Sequence, residues 1–112
     1  MIMIRVVITR DSEGSISRLE IDGHSGYAEA GSDIICSAVS VTAYTAAGAL
    51  ESLAGLKRCY RQRDGHMTIQ LPKDMDDKQK ATASIIMETT AIGLKQIEHS
   101  YGEYVSVLDE EV

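Results

Sequence analysis

The sequence predicts an α+β fold, a two-layer sandwich in which two helices pack on one mostly antiparallel sheet of about five strands, in the order ββαββαβ. Three observations predict it: apolar and polar residues alternate near the N-terminus, a tight hairpin is written around Asp64-Gly65, and two long segments repeat apolar residues every three or four positions. Ile2, Ile4, Val6 and Ile8 alternate with Met3, Arg5, Val7 and Thr9, the period of a strand with one face more apolar than the other. Turn chemistry at Asp11-Ser12-Glu13-Gly14-Ser15 leads into a second strand, Ile16 to His24, with Leu19 and Ile21 on one side and Arg18, Glu20 and Asp22 on the other.

Ser25 to Asp33 holds glycines at 26 and 31 and has no sustained period, so it reads as a connecting loop with two flexible points. From Ile34 the period becomes helical through Ile35, Val39, Thr42, Ala46, Leu50 and Leu53, with Ser32 or Asp33 as N-cap and Gly55 as terminator. Asp64-Gly65 then joins Cys59–Arg63 to His66–Leu71. Pairing Arg63 with His66 puts Tyr60 opposite Ile69 and gathers Tyr60, Met67, Ile69 and Leu71 on a face that excludes Cys59. After Pro72, Asp74 offers a cap for a second helix whose stripe is Ala83, Ile86, Met87, Thr90, Leu94 and Ile97. Tyr104 to Leu108 alternates again, leaving Asp109, Glu110 and Glu111 as a short acidic tail.

A chain of 112 residues fits one domain, residues 1–112, and buries roughly two thirds of its unfolded surface without metals or disulfides. The N-terminus lacks the basic head, apolar run and small-residue cleavage site of a secretion signal, and no apolar stretch approaches the ~20 residues that span a bilayer. The expectation is a cytosolic protein. Cys36 and Cys59 stand far apart, which suggests neither a disulfide framework nor a zinc ribbon. A net charge of −6 argues against direct contact with nucleic acid and suits a basic protein or peptide better.

The chemistry-bearing pair is Cys36 and His24. With Asp33 as cap, Cys36 falls in the first turn of its helix, where unpaired amides and the macrodipole favour a thiolate and the Cys36 amide is a candidate oxyanion donor. His24 ends the preceding strand, and a flexible loop lets its imidazole return to the helix start, with Gly23 free to break the strand parity. The same residues also read as packing: cysteine is among the most buried residue types, and strand parity puts His24 on the polar face. Cys59 lies among Arg58, Tyr60 and Arg61 with no base nearby; His66 beside the turn and His99 near a helix end read as solvated. The glycine-bearing loop has no lysine and is no phosphate loop.

Gly23 to Ser40, reading G-H-S-G-Y-A-E-A-G-S-D-I-I-C-S-A-V-S, closely resembles the hallmark of the ribosomal-processing cysteine proteases, the Prp family. The resemblance implies a cysteine endopeptidase that removes a short N-terminal extension from a large-subunit ribosomal protein, acting as a homodimer without cofactor, metal or membrane. His24 and Cys36 match the family's catalytic dyad, and Asp33 and Ser40 its accompanying polar positions. Gly26 and Gly31 fit the ends of a mobile cover over the substrate peptide, with Tyr27 and Ala28 placed to touch it. Ser25 and Ser37 stand where alanine is common in the family. Two rivals remain: a non-enzymatic ribosome-assembly module, and a thiol hydrolase acting on a small acyl substrate.

Overall fold

The computed structural model describes residues 4–23 and 30–111, with backbone alone at 30–33 and 111. The elements run β1 (Ile4–Arg10), β2 (Ile16–Asp22), α1 (Ala30–Ala54), β3 (Tyr60–Arg63), β4 (His66–Gln70), α2 (Asp77–Ser100) and β5 (Val105–Glu111). They form the two layers expected, with the sheet ordered β3-β4-β2-β1-β5. Every pairing is antiparallel except that of β1 with β5. Ile4, Val6, Ile8, Leu19, Ile21, Met67, Ile69 and Val105 project from the sheet's inner face and are almost wholly buried. The helices cover them with Ile35, Val39, Ala43, Ala46 and Leu50 from α1 and Ala83, Met87, Ala91 and Leu94 from α2. The two helices also pack on each other, and a side chain added at Gly93 of α2 would meet the Thr42 methyl of α1 at 3.7 Å.

Local chemistry explains the connections. Asp64 (φ 44°) and Gly65 (φ 80°) make the two-residue turn that sets Arg63 opposite His66 and Tyr60 opposite Ile69, as the sequence predicts. Gly55 (φ 66°) ends α1, its N–H donating to the Glu51 carbonyl at 3.1 Å while Leu56 N–H reaches the Leu50 carbonyl at 3.0 Å. Asp11 Oδ1 accepts the amides of Glu13 and Ser15, closing the β1–β2 turn.

Several expectations are corrected. β2 ends at Asp22, because Gly23 turns to φ 95°. The cap of α2 is Asp76, not Asp74: its carboxylate accepts Gln79 N–H at 2.7 Å while Gln79 Oε1 accepts Asp76 N–H at 3.1 Å, a reciprocal pair that Asp74 lacks the spacing to make. Leu53 is exposed, and Ala43 and Ala54 complete the buried stripe instead. Cys59 is buried at 6% exposure despite its expected polar face, and burial pushes its thiol pKa up rather than down. The acidic tail is the second half of β5. Asp109 is neutralised there by Arg10 Nε and Lys95 Nζ, both at 2.8 Å, which removes the charge penalty of an acidic edge strand.

The expectation of no long apolar stretch is also corrected, since Ile34–Ala54 has mean hydropathy 1.4 over 21 residues. Small residues and the lack of any charge between Asp33 and Glu51 produce that value, and the helix's inner stripe is part of the core. Its outer stripe, Ile34, Ser37, Val41, Thr45, Gly48 and Ser52, is exposed.

Candidate active site

The end of β2 and the beginning of α1 bracket the segment in which the sequence places its chemistry. Gly23 is the last described residue before the connection, and its positive φ swings the chain out of the strand. His24, Gly26, Tyr27 and Ala28 lie outside the described residues. α1 begins at Ala30, so Gly31 and Asp33 are helical, and Asp33 is the fourth residue of the helix rather than its cap. Aspartate suits either place, since the macrodipole favours a carboxylate throughout the first turn.

This longer helix moves Cys36 to the seventh position. The charge effect of a helix end fades within one turn, and a seventh-position amide is already committed to the i→i−4 ladder. The first-turn argument for Cys36, and its amide as oxyanion donor, are therefore corrected. What the helix does supply is placement. Cys36 stands on the inward stripe next to Ile35 and Val39, 8% exposed, and belongs to the core cluster. Ser40, half-buried, follows one turn on along the same side. A thiol in such a wall is shielded from water and held on a rigid element, as a nucleophile needs to be, but shielding alone favours the neutral thiol. Ionisation requires a cationic partner such as an imidazolium.

The end of β2 holds a feature that the sequence reading missed. His66, expected to be solvated, hydrogen-bonds through Nδ1 to Asp22 Oδ1 and sits with Nε2 3.8 Å from Glu20 Oε2. One backbone bond reinforces it, Gly23 N–H to Gly65 O at 3.0 Å. The β3–β4 register was legible from the turn, but the β2–β4 pairing joins residues 44 apart, which no local period reveals.

Other concavities lie elsewhere. A cavity of about 760 Å³ between the β1–β2 turn and the start of α2 is lined by Asp11, Glu13, Leu71, Lys73 and Lys80, at the opposite end of β2 from Gly23, and includes no cysteine or histidine. Among the described residues, no group of three His, Cys, Asp or Glu is placed to hold a metal ion.

Comparison with known proteins bears on this bracket. The family model described as cysteine protease Prp matches residues 3–106. The ribosomal processing cysteine protease Prp of Bacillus subtilis (strain 168) is 27% identical over 107 residues, which cover 94% of this chain and 96% of that protein. A Streptococcus mutans crystal structure superposes with a TM-score of 0.88 at 26% identity, covering 99% of this chain and 97% of that one. The essential ribosomal processing protease Prp of Staphylococcus aureus, solved with a substrate peptide and again with a covalently linked product peptide, gives TM-scores of 0.83 and 0.80 at 27% and 28% identity, covering 96% of this chain and 100% of each. With the family model matching residues 3–106 and the fold shared along nearly the whole chain, the chain belongs to the Prp family of cysteine proteases.

Proposed function

We propose that the chain is a cysteine endopeptidase that removes a short N-terminal extension from a large-subunit ribosomal protein, with Cys36 as nucleophile and His24 as its acid and base. One observation carries the reading: a relative that shares the fold over 96% of this chain holds a covalently linked product peptide, the state that a nucleophilic side chain leaves behind. Cys36, buried in α1 three residues after Asp33, is the one cysteine in the matching motif, which supports it as the nucleophile of a cysteine protease.

In the reaction the Cys36 thiolate adds to the scissile carbonyl carbon. As the tetrahedral adduct collapses, the C–N bond breaks and His24 imidazolium gives its proton to the departing amine. His24, now neutral, takes a proton from water; the hydroxide attacks the thioester, the C–S bond breaks, and thiolate and imidazolium are restored. Asp33 supports the imidazole, Ser40 steadies the cysteine or loop, and Gly26, Tyr27, Ala28 and Gly31 form the cover that meets the peptide. A ribosomal-protein substrate places the reaction in the cytoplasm.

The same reading includes a homodimer joined through the outer stripe of α1. Ile34 and Val41 there are 68% and 62% exposed. Among the described residues nothing lies within 4 Å of where a side chain at mid-helix Gly48 would stand, so none of them requires a residue that costs a helix about 1 kcal/mol. A second backbone packed closely against it would, which is what supports the dimer reading.

The test is cleavage of a peptide spanning the junction between extension and mature ribosomal protein. Cys36→Ala should lower kcat/KM by at least about 10³-fold while still binding the peptide. Cleavage at the unmodified rate by that variant would falsify the reading.

A further inference from the structure

The outer face of the sheet, away from both helices, carries a charged row at the end where β2 stops. Register places Arg63 of β3 opposite His66 of β4, His66 opposite Asp22 of β2, and Asp22 opposite Arg5 of β1. Directly paired residues share a face, so the four side chains form one transverse line in which Asp22 is the single acid among basic neighbours. At its centre His66 Nδ1 is hydrogen-bonded to Asp22 Oδ1, with Glu20 Oε2 3.8 Å from the other ring nitrogen and Arg18 Nε 3.1 Å from Glu20 in turn. Gly23 N–H, one residue on, donates to Gly65 O at 3.0 Å.

The β3–β4 hairpin therefore grips Asp22, the last residue of β2, by its side chain and Gly23, the residue after it, by its backbone, at the point where the chain leaves the sheet. Both sides of the grip are in specified conformations, Gly23 at φ 95° and Gly65 at φ 80°. Folding alone does not call for this arrangement. His66 is 37% exposed at the side chain and faces away from the core, where a β-branched residue serves a strand equally well. What lies beyond the grip is His24, two residues after Asp22.

We propose that His66, acting through Asp22, is a positioning residue for His24: by fixing the direction in which residues 22 and 23 leave β2, it limits the freedom of the imidazole that must meet Cys36. The proposal rests on the reading of His24 as the acid and base. Misplacement of a reacting group by about 1 Å costs a reaction on the order of 10²-fold, so a tether two residues away has leverage on rate without touching substrate.

The experiment uses the full chain with His66→Val, which keeps strand preference but loses the donor; His66→Asn, which keeps a donor near the place of Nδ1; Asp22→Ala; and the H66V/D22A double variant. Steady-state cleavage of the junction peptide is measured with alkylation of Cys36 against pH, followed by mass spectrometry at that residue. H66V should lower kcat about tenfold or more with KM within about twofold, and should shift the Cys36 alkylation profile toward that of an ordinary thiol. H66N should recover kcat to within about threefold, and the double variant should be no worse than either single one, as two members of one tether require. If H66V does not fold, D22A against Asp22→Asn gives the same comparison, because asparagine retains an acceptor. Wild-type kcat and alkylation in H66V, or losses that multiply in the double variant, overturn the proposal. His24→Ala separates the layers: an inactive H24A beside a fully active H66V removes this inference alone, whereas a fully active H24A removes the dyad beneath it.

Discussion

The two helices are nearly equal in length, 25 residues for α1 and 24 for α2, and lie side by side on the same face of the sheet, yet they are secured by different means. α2 is fastened at both ends and along its length. Asp76 and Gln79 cap its start, Glu88 meets Arg10 of β1 at 2.6 Å, Lys95 meets Asp109 of β5 at 2.8 Å, and Glu98 accepts the Val107 amide at 2.7 Å. From Ile34 to Leu50, α1 has no charged side chain with which to do any of this. It is held by packing of Ile35, Val39, Ala43, Ala46 and Leu50, and its outer stripe is left uncharged. The difference separates a scaffold helix, tied to the sheet by its polar groups, from one whose inner side carries the proposed nucleophile and whose outer side is the proposed dimer surface.

The sharpest way to break that division is to compare losses of activity and of stability for each helix. Cys36→Ala on α1 is expected to abolish peptide cleavage, by about 10³-fold or more, while shifting the melting temperature only a few degrees, since cysteine to alanine in a helix exchanges one small apolar side chain for another. A large fall in melting temperature with retained cleavage would reverse the assignment. Next in size is Val41→Glu. An unpaired carboxylate placed at a packed interface costs several kcal/mol, and a two-fold dimer meets it twice, so the Kd of the proposed dimer should rise by about 100-fold or more. Sedimentation equilibrium reads this directly, and a variant that sediments as the parent does leaves the outer stripe without its partner.

How much of this was legible in the sequence follows from how local each cause is. The Asp64-Gly65 turn fixes a register by itself, so the pairing of Arg63 with His66 could be written down residue by residue. The motif from Gly23 to Ser40 is contiguous, and it pointed to Cys36 without any knowledge of the sheet. The start of α1 is not legible to the residue, because serine and aspartate serve a cap and a first turn almost equally. Asp109 looked like a solvated tail because its partners, Arg10 and Lys95, are 99 and 14 residues away and meet it only once β5 has paired in parallel with β1. The Asp22–His66 contact was hidden for the same reason, needing β2 and β4 to be neighbours.

The charge ties of α2 also predict a dependence on acid. Asp109 is held at a pKa of about 2, chiefly by its hydrogen bond from Arg10 and further by Lys95, against an ordinary value of 3.8. A carboxylate whose folded pKa is depressed adds stability that is complete above its unfolded pKa and is lost as pH falls through the folded one. The window here runs from about pH 4 down to about pH 2, and with solvent screening at this exposed site the shift corresponds to between about 1 and 2 kcal/mol. Asp109→Asn should therefore be less stable than the parent by roughly that amount at pH 7 in urea unfolding, with the gap closing as pH approaches 2. A gap that persists unchanged at low pH would assign the role of Asp109 to packing rather than to charge.

The smallest expected effect tests whether the two helices are independent. Asp76→Ala removes one half of the reciprocal cap and should cost about 1 kcal/mol, or roughly 4 °C in melting temperature for a chain of this size. Because Gln79 also donates through Nε2 to the Ala54 carbonyl at 3.1 Å, the start of α2 touches the C-terminus of α1. That contact lies at the far end of α1 from Cys36, eighteen residues along a helix whose inner stripe is fully packed. Asp76→Ala should consequently leave kcat and KM for the junction peptide unchanged at temperatures where it is folded. A fall in kcat with intact folding would mean that strain at the Ala54 end reaches the cysteine through a rigid α1, and that the two helices act as one body.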